Sequence, residues 1–344
     1  MKTWQFEALD SLFFRGAKPF NQGEGGFLDS QFPPTAQTMA GVIRAAIAES
    51  MGVDWAKFPK HEGTIAKLIG AESDDRGNLT FCGPYIYKGG ERLYPVPLHL
   101  LYSSKENTWG KLAPSKAELK TDMGDKRLPK VVQPSPEGAK PLENAWLDGV
   151  ELEKVLQGES PSKYYKGEDL FIAEARTGIG RDNAKRKVNE GMLYFTRHIR
   201  LKEGVSLAMD VEGADDVSPA KMLRLGGEGR MANVSVQKTL DSRLRGNDGA
   251  TDTAMIVLLT HGDFDGKAEP KLEGIKIISA CVGKAVREGG WDYRYSRPKP
   301  LKSLVPSGSV YFVQGDISKL KTHIGNRTAF GYGEIAVGVW EDKS

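Results

Sequence analysis

The stretch Met222–Arg230, MLRLGGEGR, constrains the backbone more than any other part of this chain. Gly226, Gly227 and Gly229 place three residues without a Cβ in four positions. Positive φ and close approach to a bulky neighbour are both open to such a loop. Its amide N–H groups can form a nest for an anion, and Arg230 adds a planar guanidinium that is always charged. A phosphate fits that description. No Gly-Lys-Ser/Thr follows, so the loop is not a Walker A motif, and the G-x-G-x-x-G spacing of a dinucleotide site is absent. A tight turn between a helix and a strand accounts for the glycines equally well. Both readings stand at this point.

The segments around the loop set its context. Thr3–Phe14 is aromatic and apolar and reads as a strand, ended by Arg15-Gly16-Ala17-Lys18-Pro19. Asn21–Gly26 reads as a flexible loop. Pro33-Pro34-Thr35 opens a helix with Thr35 as N-cap. Met39, Val42, Ile43, Ala46, Ile47 and Met51 mark its buried face, Arg44 lies off that face, and Gly52 ends it. From Asp54 to about Lys187 many Pro, Gly and Lys residues interrupt short β-like pieces, and Lys111–Gly138 reads as a polar surface excursion. This region is expected to be a large insertion. Gly191–Leu201 reads as a strand that pairs with Val205–Val211. Ser218-Pro219 starts a short helix, and Met231–Val236 follows the glycine loop as a last strand. Without the insertion the order is β-α-β-β-α-β, the ferredoxin-like or RRM-like arrangement.

Leu240–Gly249, LDSRLRGNDG, is charged, aperiodic and foreign to its surroundings, like the translation of a dispersed genomic repeat. A chain tolerates such an element at an exposed loop, so a domain boundary is placed there, near residue 245. Beyond it, Thr253–Leu259, Trp291–Tyr295, Ser309–Val313 and Ala329–Trp340 read as strands, and Ile275–Val286 as a strand or a helix. The expectation is an α+β chain. A first domain spans 1–245 with the insertion at about 54–187, and a smaller second domain spans 246–344.

At 344 residues the length itself favours two domains. A net charge of +3 is too mild to require a nucleic-acid partner, so any basic surface has to be local. Cys82 and Cys281 stand far apart without metal-ligand spacing and read as reduced thiols. The first residues lack an apolar h-region, and the longest clean apolar run is about Ala254–Leu259. We therefore expect no export and no membrane span, and a cytoplasmic protein.

Local basic surface exists. Residues 181–202 carry Arg181, Lys185, Arg186, Lys187, Arg197, Arg200 and Lys202 against Asp182 and Glu190, an excess of five positive charges. Beside Tyr194 and Phe195, this density suits a phosphate backbone with stacked bases, or else a solvated hairpin face. Trp291, Tyr293 and Tyr295 share one face of a strand, as a stacking platform or, better, as core or interface. The histidines His61, His99, His198, His261 and His323 form no pair at metal spacing. His198 could serve as an acid or base on RNA, though an ordinary hydrogen bond explains it more simply. His261–Gly266, HGDFDG, is too short for a calcium loop and reads as a turn.

Taken in order, ALDSLFFRGAKPF, NQGEGG with FPPTAQTMAGVIRAAI, ARTGIGRDNAKRKVNEGMLYFTRHIRL, LRLGGEGR and GGWDYRYSRPKPLKSLVPSGSVYF resemble the third subunit of the Cmr complex. That complex is the type III-B CRISPR RNA-guided effector of antiviral defence, and the subunit belongs to the RAMP superfamily. The resemblance spans nearly the whole chain. LDSRLRGNDG and the polar stretch near Lys111–Gly138 depart from it. It implies two ferredoxin-like domains and a non-catalytic subunit without cofactor or metal. Such a subunit holds the 5′ tag of the guide RNA and docks the large palm-domain subunit and the backbone RAMP subunits. The RNA-binding residues it implies are Arg15, Lys18, Arg44, Arg176, Arg181, Gly226, Gly227, Gly229 and Arg230. Gly331, Gly333 and Gly338 match the glycine-rich terminal loop of RAMP proteins. Lys185 and Arg197 of the basic segment complete the candidate set. Two alternatives remain in view: a metal-independent RNA endonuclease of the RAMP type, and a purely protein-binding scaffold.

Overall fold

The computed structural model describes the chain except residues 18–26, 59–62, 122–123, 183, 186, 240–251, 293–295, 341, 343 and 344, together with the side chains of 181–182, 188–192 and 291–292. Lys18, the Asn21–Gly26 loop, Leu240–Gly249, and Tyr293 and Tyr295 therefore lie outside the described residues. So does the side chain of Arg181. The described chain is mostly β-structure with few helices. It forms two compact units of discontinuous sequence: 1–89, 168–239 and 287–302 in one, 90–167, 240–286 and 303–344 in the other. Residues 90–167 belong to the same unit as the later part of the chain.

In the first unit, antiparallel strands stand in the order Thr80–Lys88, Val205–Glu212, Lys2–Ala8, Met231–Lys238, Met222–Arg224. Taking the first four in chain order, the sheet runs second, third, first, fourth. Val205–Val211 is buried at every position, as expected of a central strand covered on both faces. Trp4 and Phe6 on its neighbour are fully buried opposite Met209 and Leu207. The helix Ala36–Ser50 packs against this sheet. The Thr35 hydroxyl caps it by accepting from the Thr38 amide, and Gly52 adopts φ +73° just past its end.

Three local expectations fail here. Lys187–Leu201 does not pair with Val205–Val211. It forms a long antiparallel hairpin with Phe171–Asp182, and Phe27–Asp29 adds a parallel third strand. The reason is competition: Val205–Glu212 is claimed on both edges by Lys2–Ala8 and Thr80–Lys88. No helix follows Ser218-Pro219. Met222–Arg224 is a strand that folds back on Met231–Asn233, so the glycine loop is a hairpin turn. The first strand ends at Ala8. Beyond it, Leu12 and Phe13 make only isolated bridges.

The second unit holds a four-stranded antiparallel sheet of Thr253–Leu258, Ile275–Cys281, Val310–Gly315 and Ile335–Gly338, again in the order second, third, first, fourth. Ile275–Cys281 is thus a strand, not a helix. Strand residues alternate between faces, and here both faces are apolar. Ala254, Ile256 and Leu258 pack with Phe264, Tyr311 and Ile324. Met255, Val257 and Leu259 pack with Leu147, Leu152, Val155 and Leu156. The second group comes from the region read as an insertion. Its helix Gly149–Leu156, capped by Asp148, covers one face of this sheet. Lys111–Gly138 lies towards the surface, as read, and carries regular structure. Thr108–Thr121 and Gly124–Val131 pair as a hairpin, and Lys126 donates to Glu269 at 2.7 Å and to the Ile277 carbonyl at 3.0 Å. No described helix is long and apolar enough to cross a membrane.

If residues 90–167 supply core to the second sheet, the fully buried Leu152 carries part of that unit's stability. Leu152→Ala should cost about 2–5 kcal/mol in a urea melt. The exposed neighbour Val150→Ala should stay within about 0.5 kcal/mol. Equal, small effects from both would mean that the helix only decorates the surface.

Candidate nucleic-acid interface

Immediately after the first strand the chain bends at Leu9-Asp10-Ser11. The Leu9 amide donates to Met231 O at 3.1 Å, and Leu12 exchanges two hydrogen bonds with Ile199, at 2.7 and 2.8 Å. Phe13 O accepts from the Gly227 amide at 2.7 Å. Asp10 is thereby fixed where the first strand, the long hairpin and the glycine turn meet.

Three arginines converge on it. Arg176 Nη2 lies 3.1 Å from Asp10 Oδ2, Arg200 Nη2 lies 2.8 Å from Oδ1, and Arg230 Nη1 lies 3.0 Å from Oδ2. Glu174 braces two of them, at 2.7 Å from Arg176 and 2.7 Å from Arg200. The register explains the meeting: Glu174 stands opposite His198, so Arg176 and Arg200 flank that pair diagonally on the same face of the hairpin. The Ser11 amide, then Arg200 and Arg176, hold the Asp10 carboxyl down at about 2, and Arg200 and then Arg176 lower that of Glu174.

Glu228, at the tip of the turn with φ +54°, lies 3.0 Å from His198 Nε2 and 3.7 Å from Arg230. His198 is fully buried, stacked on Phe13 with ring centroids 5.0 Å apart, and its Nδ1 is 3.1 Å from the Ser11 hydroxyl. Burial pushes its pKa down, and Glu228 offsets that only in part.

The glycines of the turn have distinct duties. Gly226 has φ +84°, and a Cβ there would stand 2.5 Å from Phe13 O. Gly229 has φ +66° but open space around it, whereas a Cβ on Gly227 would come within 3.1 Å of the Phe13 ring. The turn reading thus accounts for the backbone, and one of the amides of the imagined nest is committed to Phe13.

The other candidates divide. Arg197 pairs with Asp29 at 3.0 Å and lies 4.7 Å over the Phe27 ring, on the same sheet as Arg176 and Arg200. Lys185 is exposed at the hairpin end, and Arg15 is exposed at a bridge to Ser30. Arg44 is engaged elsewhere: its guanidinium donates to the carbonyls of Ile69, Gly70, Glu72 and Ser73, beyond the short helix Thr64–Ile69. Gly331 and Gly333 belong to the second unit. There the Gly333 amide donates to His261 O and its own carbonyl accepts from Ile324 N. Sequence reasoning did not pick out Asp10 and Glu174, and had Arg200 only as one cation of a run. Acidic residues carry no phosphate signal, and only strand register shows which cations they join.

Two outcomes follow from this geometry. Asp10 has a folded-state pKa below its unfolded value, so its stabilisation is present above pH ~4 and is lost as pH falls towards 2. Acid melts of wild type and Asp10→Asn should therefore differ most above pH 4 and converge near pH 2. A constant gap would assign the effect to shape and not to charge. Gly226→Ala should destabilise more than Gly229→Ala. The latter meets only the left-handed strain, about 1–2 kcal/mol, and the former adds a backbone clash. Equal melting shifts would contradict the docking of the turn on Phe13.

No curated protein matches the sequence. The fold is similar to a chain in the cryo-EM structure of Type III-B Cmr-beta bound to cognate target RNA and AMPPnP. The TM-score is 0.53 at 17% identity, with 90% of this chain and 86% of that one covered. In the structure bound to cognate target RNA alone, the corresponding values are 0.52 and 17%, with 98% of each chain covered. Residues 4–340 match the model of the CRISPR-associated protein family Cas_Cmr3, and the chain belongs to that family.

Proposed function

We propose that this chain is a non-catalytic, RNA-binding subunit of a cytoplasmic type III-B CRISPR effector complex. It would hold the 5′ tag of the guide RNA and dock the large palm-domain subunit and backbone RAMP subunits. The observation that carries the reading is the convergence of Arg176, Arg200 and Arg230 on one half-exposed spot at Asp10. Guanidinium forks from two strands and a turn suit the oxygens of successive phosphates. Membership of the Cas_Cmr3 family and the effector-like fold support the assembly role. So does an apolar strip on the hairpin sheet, where Phe27, Ile179, Leu193 and Phe195 are each about 40–50% exposed. The order second, third, first, fourth in both units supports a ferredoxin-like reading of each sheet.

The endonuclease alternative loses its best residue. A general acid or base has to reach the scissile phosphate, and His198 is fully buried between Phe13, Ser11 and Glu228.

Titration with single-stranded tag RNA at several salt concentrations tests the proposal. Arg176→Ala and Arg200→Ala should each weaken binding and flatten the log–log salt slope by about 0.7 for every phosphate that is no longer neutralised. Arg44→Ala should instead lower the melting temperature and leave the slope unchanged. No variant, nor wild type, should cut repeat RNA with or without magnesium. Unchanged slopes for both hairpin arginines would point to the scaffold alternative.

A further inference from the structure

The arginine cluster is already occupied. Asp10, Glu174 and Glu228 match the charges of Arg176, Arg200 and Arg230 one for one, so the face proposed to hold RNA is close to neutral. The three acids do not play the same part. Glu174 lies alongside two arginines and spans their Nε and Nη atoms, at 2.8 Å from Arg176 Nε and 2.7 Å from Arg200 Nε. Glu228 is shared with buried His198. Asp10 alone takes one nitrogen from each of the three arginines, and its side chain is 46% exposed. It therefore sits at the centre of the cluster and at its opening.

A carboxylate presents two oxygens and one negative charge, and so does a phosphodiester. We propose that Asp10 is an internal stand-in for an RNA phosphate, and that a phosphodiester of bound single-stranded RNA displaces it and takes over the three guanidiniums. The inference rests on the RNA-binding reading above and adds a competitor to it.

The exchange is physically cheap on the protein side. Leu9 and Leu12 are tied by backbone hydrogen bonds to Met231 and Ile199, so the bend stays in place while the Asp10 side chain swings to water. Half-exposed ion pairs contribute little individually, and RNA gains from the release of its counterions. Glu174 keeps Arg176 and Arg200 aligned throughout. The consequence is selectivity: an isolated anion meets a neutral surface, and only a polyanion with further contacts drives Asp10 out.

The test compares wild type, Asp10→Asn, Arg176→Ala and the double variant Asp10→Asn/Arg200→Ala. A labelled single-stranded RNA of about ten nucleotides is titrated at several salt concentrations, with a melting curve for each protein. Asp10→Asn keeps the shape and removes the charge. It should bind about tenfold more tightly, with a salt slope steeper by about 0.7, and the added Arg200→Ala should cancel the gain. Weaker or unchanged binding by Asp10→Asn would overturn the proposal and make Asp10 a brace for the arginines. Should Asp10→Asn melt below the working temperature, Asp10→Ser is read by the same criteria. The arms separate this proposal from the one it rests on. Affinity that depends on Arg176 but not on Asp10 sinks only the stand-in. Affinity that depends on neither sinks both.

Discussion

Like charges a few ångströms apart repel by about 4 kcal/mol at an effective dielectric near 20, so three guanidiniums do not share a surface unaided. Asp10 lets them share one in this fold. It sits on a bend with little regular structure, yet its neighbours Leu9, Leu12 and Phe13 each reach a different element by backbone hydrogen bonds. The first strand, the long hairpin and the glycine turn are thereby stitched around one carboxylate. Much of the candidate interface follows from that stitching. Arg176 and Arg200 meet through hairpin register, Arg230 arrives because the turn docks on Phe13, and Glu228 is drawn to His198 beneath it.

The glycines and the charges serve one arrangement. Gly226 permits close approach to the Phe13 carbonyl, an approach that a Cβ would block, and the turn then delivers Arg230. Gly227 and Gly229 add tolerance around it. The feature that stands out most in the sequence is thus mainly a hinge for a cation. The proposed anion-binding groups are side chains of the two hairpin strands and of the turn, not the loop's own amides.

Local features were legible where local chemistry decides. The Thr35 cap, the Gly52 stop and most of the buried stripe were readable, because a helix is stabilised within its own turns, but Met51, read as the end of that stripe, is exposed. The apolar run at Ala254–Leu259 was readable as a strand because a short, continuous apolar run marks a strand buried on both faces. Partners were not legible. Val205–Glu212 reads like the mate of Lys187–Leu201, and only the whole sheet shows that both its edges are taken. Thr108–Val131 is rich in lysine and proline and so resembles a loop, although such residues also mark strands that avoid unwanted pairing. The helix Gly149–Leu156 carries no sign that its apolar face belongs to a sheet a hundred residues later. Arg44 and Arg176 look alike in sequence, and one is spent on backbone carbonyls while the other faces an exposed carboxylate.

The most direct test of the central claim is to locate the RNA. Guide RNA carrying 4-thiouridine in its 5′ tag, assembled into the intact complex and irradiated, yields crosslinked peptides that mass spectrometry can place. The account predicts crosslinks to residues 9–15, to the hairpin of Phe171–Asp182 and Lys187–Leu201, and to the turn near Arg230. Crosslinks confined to the second unit around Gly331 and Gly333, or absent from this chain, would contradict it.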